Sequence, residues 1–202
     1  MTQILRQLAA AWAFAAWLLW TSNSRWARLV LDETGVAGDI KAAYAASSDL
    51  TVTNLNGLAA SATWVAGWES AAIDNSANLY LDYSVRAKIT VESAGLTAGE
   101  IRLYLVAELD DATFPDVFDG TESAETVTDT EIRDAICRLG AFTQTDTTVS
   151  RVYYLDCPSV AAVFGGNLPR KFVIFITQST VAALETTGNQ VTVKGRYETV
   201  AQ

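Results

Sequence analysis

No histidine occurs anywhere in this chain of 202 residues. That absence removes the side chain most used as a general acid or base near neutral pH, and the commonest metal ligand with it. Cysteine is nearly as scarce, with Cys137 and Cys157 the only two. Their spacing matches no zinc signature, and a single pair supplies only half of a four-cysteine site. They can be bridged only if folding brings their Cα atoms within about 7 Å; the frequent burial of cysteine favours two free thiols in a core. Cations are also in deficit, with 14 Lys and Arg against 23 Asp and Glu and a formal net charge of −9. This argues against nucleic acid as a partner, because phosphate binding needs clustered cations. No nucleotide fingerprint is present, since Gly165-Gly166 fits neither GxGxxG nor phosphate-loop spacing. The expectation is therefore no enzyme, no catalytic residue, no cofactor and no metal set.

What is present points to β structure. Half the residues are hydrophobic and only 18% are charged, enough to build a core. From Asn78 to Glu92, apolar Leu79, Leu81, Tyr83, Val85, Ala87, Ile89 and Val91 alternate with mostly polar neighbours, the period of a strand with one buried and one wet face. Ile101, Leu103, Leu105, Ala107 and Leu109 repeat the alternation beyond Gly95 to Gly99, which predicts a hairpin. Further strands are predicted over Asp49–Leu55, Leu58–Val65, Arg138–Gln144 and Arg151–Asp156, with a helical turn over Thr130–Arg138. Asn56-Gly57 marks a turn, and Gly188-Asn189 starts a last hairpin completed by Gln190–Val200. Lys171–Gln178 holds the continuous run Phe172-Val173-Ile174-Phe175-Ile176, expected either for a strand buried on both faces or for one at a subunit contact. About eight strands with few helices predict a mainly β fold, an antiparallel jelly-roll-like sandwich. Trp64 and Trp68 read as core packing ahead of a ligand platform.

Between Glu108 and Asp134 carboxylates crowd around a single cation, Arg133. Asp119-Gly120-Thr121-Glu122 lacks the spacing of an EF-hand. A solvated acidic loop, or one facing a basic partner, is the default, with an irregular calcium site left open. The N-terminus is apolar from Leu8 to Trp20 and carries Trp12, Trp17 and Trp20, with Trp26 following. As a helix it would rise about 20 Å, short of a bilayer core of about 30 Å, so a membrane role is disfavoured. A helix buried against another chain is preferred, and a signal peptide remains an alternative. The domains are thus an apolar helical arm over 1–45 and a β domain over 46–202.

Four segments carry a resemblance: Trp68–Asn75 with Asn78–Tyr83, Phe114–Ser123, Ser159–Gly166 with Leu168-Pro169, and Gly188-Asn189. Together, over roughly Ala62 to Val200, they resemble virion-associated proteins encoded by tailed bacteriophages. The resemblance implies a capsid decoration (cement) protein on the capsid surface, or another head or tail component, with no catalytic residue to carry over. The expected partners are the major capsid protein and further copies of the chain. Expected contacts are Trp12, Trp17, Trp20 and Trp26 of the arm and Phe172 and Phe175 of the apolar strand, since aromatic anchors dominate interfaces. Two alternatives stand beside it. One is a carbohydrate-binding or host-adhesion module, with Tyr80, Trp64 and Trp68 stacking and Asp82 or Asp116 as polar partners. The other is a secreted or membrane-anchored β domain.

Overall fold

The computed structural model describes residues 40–92 and 98–200. The chain divides into two compact units, residues 1–41 with 199–202 and residues 42–198. The apolar run from Leu8 to Trp20 and the expected contacts Trp12, Trp17, Trp20 and Trp26 lie outside the described residues.

Eleven strands and two short helices are described in chain order. They are β1 (Ile40–Tyr44), β2 (Ser48–Asp49), β3 (Ala66–Glu69), β4 (Ile73–Asp74), β5 (Asp82–Thr90), β6 (Gly99–Ala107), β7 (Ser123–Thr126), α1 (Thr130–Ile136), β8 (Arg138–Thr145), β9 (Val152–Cys157), α2 (Val160–Val163), β10 (Lys171–Gln178) and β11 (Gln190–Val200). The fold is mainly β. The first sheet has the order β1-β11-β5-β9, with β2 also on β11; the second has β7-β3-β10-β6-β8, with β4 on β10. The pairings among β2 to β11 are antiparallel.

Alternation builds the layers. Val85, Ala87 and Ile89 of β5 meet Leu103 and Leu105 of β6 and Ile174 of β10 in one core between the sheets. The other face of the second sheet is buried as well. Tyr104, Val106, Val173 and Phe175 are covered there by Phe118, Val127 and Cys137, with Phe114, Val117, Ile132 and Ile136 packed around them. β10 therefore lies between two cores, which explains its unbroken apolar run. The covering segment is ordered by its own carboxylates: Asp129 caps α1 by accepting from the Ile132 N–H at 2.7 Å. In the same way Ser159 caps α2 by accepting from the Ala162 N–H at 3.0 Å.

Several expectations are corrected. β5 and β6 do not form a hairpin, because β5 pairs with β11 and β9 whereas β6 pairs with β10 and β8. β10 and β11 are likewise in opposite sheets. Both strands of each pair turn an apolar face to the shared core, so periodicity cannot tell a hairpin from a crossover between sheets. β5 also starts at Asp82, four residues after the expected Asn78. Of the expected strand Asp49–Leu55 only Asp49 lies in a strand, the short β2, and Leu58–Val65 forms none. There the Ser61 hydroxyl accepts from the Val65 and Ala66 N–H groups, both at 3.2 Å, and closes a turn in which Trp64 has a φ of 55°. β3 starts after that turn. Its Gly67 is sterically required: a Cβ there would stand 2.5 Å from the Ile176 carbonyl and 2.6 Å from the Phe175 ring.

Candidate interaction surfaces

The acidic region is largely spent inside the molecule. Glu122 accepts from the Trp68 indole N–H at 2.7 Å, the Asn54 N–H at 2.8 Å and the Asn54 amide at 2.9 Å. Asp116 accepts from the Thr128 N–H at 2.9 Å and its hydroxyl at 2.6 Å. Glu108 accepts from the Lys171 N–H at 3.0 Å, and Arg170 bridges Glu108 and Asp111. Among the described residues no three Cys, Asp or Glu side chains converge as a metal site.

Glu69 is the carboxylate that sequence reasoning passed over. It is fully buried beneath the covering segment. Its Oε1 accepts from the Gly120 N–H at 2.7 Å and the Asp119 N–H at 3.2 Å, while Oε2 has no partner. Burial pushes its pKa up to about 7; the two backbone donors oppose the shift, and the nearby Asp119 and Glu125 add to it. The signal was its position: on β3 it alternates with Trp68, so a polar residue had to enter the second core.

The cysteines offer no nucleophile. Both are buried free thiols, and burial pushes Cys137 up to about 12 and raises Cys157 as well.

The expected contact residues Phe172 and Phe175 are both fully buried, one in each core. This corrects their assignment as partner contacts: β10 is the middle strand of its sheet and is covered on both sides. The expected stacking platform does not assemble either. Trp68 is fully buried, and Arg102 lies over the half-buried Trp64 ring, 3.9 Å from its centroid. Asp82 is buried and accepts from the Ala161 and Tyr83 N–H groups, both at 2.8 Å.

Two surfaces remain. The first is a cleft of about 680 Å³ beside Leu79, Tyr80, Leu81 and Tyr197. Asn75 clamps this segment from both sides, accepting from the Tyr80 N–H at 2.8 Å and donating to the Tyr80 carbonyl at 2.9 Å. The Tyr80 ring stacks on Tyr197 at 6.0 Å and meets the edge of Tyr83 at 5.4 Å. It lies against Gly195, where a Cβ would collide with it. Between these fixed points Leu79 adopts a φ of 51° and is 73% exposed, with Leu81 49% exposed.

The second surface is the outer face of the first sheet. Arg86 lies opposite Asp156 and Thr192, and Lys88 opposite Tyr154 and Gln190. Arg86 Nε reaches Asp156 at 3.2 Å, while Lys194 Nζ stands 5.3 Å from the Tyr44 ring centroid. Tyr154 is 70% exposed and Tyr44 59%. Two adjoining hollows of about 420 and 390 Å³ share Arg86, Asp156 and Thr192.

No helix among the described residues is long and apolar enough to cross a membrane. No family model, curated protein or solved structure was found to match this chain.

Proposed function

We propose that this chain is a non-enzymatic structural protein of a tailed-phage virion, a jelly-roll-like domain that decorates the head by binding neighbouring subunits of the major capsid protein. The observation that carries this reading is Leu79, held outward in a left-handed backbone between the Asn75 clamp and Leu81. A non-glycine residue in that region costs about 1–3 kcal/mol and persists only where its surroundings enforce it. Here the enforced conformation displays two leucines beside a cleft. An apolar tip ordered before contact loses little entropy on docking. The phage-virion resemblance of the surrounding sequence supplies the partner class. Bound across two capsid subunits, the protein favours the closed shell, because binding to one state shifts the equilibrium toward it. The tryptophans of the N-terminal segment are expected to add contacts.

The test is co-sedimentation with empty heads of the phage that encodes the chain, together with the heat stability of those heads. Saturable binding that raises the disruption temperature is expected. Leu79→Asp combined with Leu81→Asp should weaken binding by about tenfold or more while leaving the chain's own melting unchanged. No binding to heads, or binding indifferent to both leucines, overturns the proposal.

A further inference from the structure

We infer that Glu69 is a proton-controlled latch: uncharged, it holds the loop 117–121 of the covering segment down on β3, and on losing its proton it releases that loop while the sheets stay folded. The latch lies within the folded unit and does not depend on a capsid being bound. The loop is anchored at both ends. Asp116 accepts from the Thr128 N–H and hydroxyl, and Glu122 from the Trp68 indole and Asn54. Between these anchors, three hydrogen bonds tie the loop to β3 and the residues that follow it. Glu69 accepts two of them, from the Gly120 N–H at 2.7 Å and the Asp119 N–H at 3.2 Å. The third runs from the Ala72 N–H to the Gly120 carbonyl at 2.9 Å. One side chain therefore carries most of the loop's polar attachment.

Both donors go to Oε1, so the proton of the neutral acid belongs on Oε2, which is buried and has no partner. Once ionised, the carboxylate is a buried charge whose second oxygen meets nothing, and water is the only compensation within reach. No neighbouring element supplies a cation. Asp119 of the loop and Glu125 of β7 repel the charge, and β10 places Phe175 directly opposite. Lys171 of β10 pairs with Asp74, Arg133 of α1 with Asp134, and Arg102 of β6 with Glu100 and the Tyr104 hydroxyl. The Cys137 thiol, pushed up to about 12 by burial, stays neutral.

The seat of the loop is close. Gly120 has a φ of 79°, and a Cβ there would stand 3.0 Å from the Ala72 methyl and 3.1 Å from the Phe114 ring. Opening therefore moves a small, well-fitted piece. It carries away Phe118, whose ring meets Phe175 edge-on at 5.3 Å, and bares the Phe175 ring to solvent. The fold thus gains an apolar surface as pH rises through the range in which Glu69 ionises, raised by burial to about 7.

Amide exchange of the full chain, followed by NMR in the wild type and in Glu69→Gln, tests the latch. Taking the ratio of the two rates at each pH cancels the intrinsic pH dependence of exchange. From about pH 5.5 to about pH 8 that ratio should rise about tenfold or more at Asp119 and Gly120. After correction for intrinsic rates, both amides of the wild type should exchange at least about tenfold faster than the Ile174 amide of β10 at about pH 8, and respond little to about 0.5 M urea, as a local opening does. A ratio that stays flat overturns the inference. So do Asp119 and Gly120 amides whose protection and urea response equal those of Ile174, because the loop then leaves only with the whole fold. A carbon-13 titration of the wild-type Glu69 carboxyl needs no variant: a midpoint near 7, shared by the Gly120 amide shift, is expected, and one at the ordinary 4.5 overturns the latch.

Discussion

Replacement of Glu69 by glutamine tests the inner architecture most directly. In the folded chain the carboxyl is fully buried and one of its oxygens has no partner; burial raises it from an ordinary 4.5 to about 7. Between those two pH values the folded state holds more proton than the unfolded state, so stability falls as pH rises. The contribution is complete below about 4.5 and is lost as pH passes through about 7. At 1.36 kcal/mol per pH unit, the full span corresponds to about 3.4 kcal/mol. Solvent screening around the loop that covers Glu69 lowers this, and about 1–2 kcal/mol is the expected loss between pH 5 and pH 8. Asp74, Asp110 and Asp146 are held below their ordinary range, in each case chiefly by hydrogen bonds from neighbouring groups. Their stabilisation is present above the ordinary carboxylate range and constant across this window. Glu69→Gln keeps an oxygen for the Asp119 and Gly120 N–H groups and cannot ionise. Urea unfolding at pH 5, 6, 7 and 8 should therefore show wild-type stability declining and the variant nearly flat. A wild type whose stability is level or rising over this range, or a variant with an unchanged slope, would refute the buried-carboxyl argument.

Three further outcomes follow from packing. Gly67→Ala drives a methyl group into the Ile176 carbonyl and the Phe175 ring, and should lower unfolding free energy by about 1–3 kcal/mol in the same urea assay. Asn75→Ala removes both side-chain bonds to the Tyr80 backbone; a loss of about 1–3 kcal/mol is expected, and faster amide exchange at Leu79 and Leu81 would report the freed segment. Cys137 and Cys157, buried and with raised pKa values, should resist iodoacetamide at pH 8 in the native chain and react on unfolding, read by mass spectrometry.

Elements whose cause is local were legible in the sequence. The bounds of β10 and β11 coincide with the predicted Lys171–Gln178 and Gln190–Val200. The α1 turn and β8 also form where composition placed them, because a capping side chain and a two-residue period act within a few residues. Where a side chain far along the chain intervenes, local signals fail. The apparent strand from Asn78 to Leu81 is bent by Asn75, a few residues upstream, and by the Tyr80 ring lying on Gly195, a partner that no window around Leu79 contains.

By itself the sequence determined that this is a mainly β protein, that Lys171–Gln178 could be buried on both faces, and that no histidine chemistry is possible. Only the tertiary structure decided which strands share a sheet, that Phe172 and Phe175 are core and not contacts, and that Glu69 lies under a loop. The physical reason is that alternation records which side of a strand is buried but not what it is buried against. The two sheets of this mainly β fold carry the same pattern on their inner faces, and only long-range pairing distinguishes them.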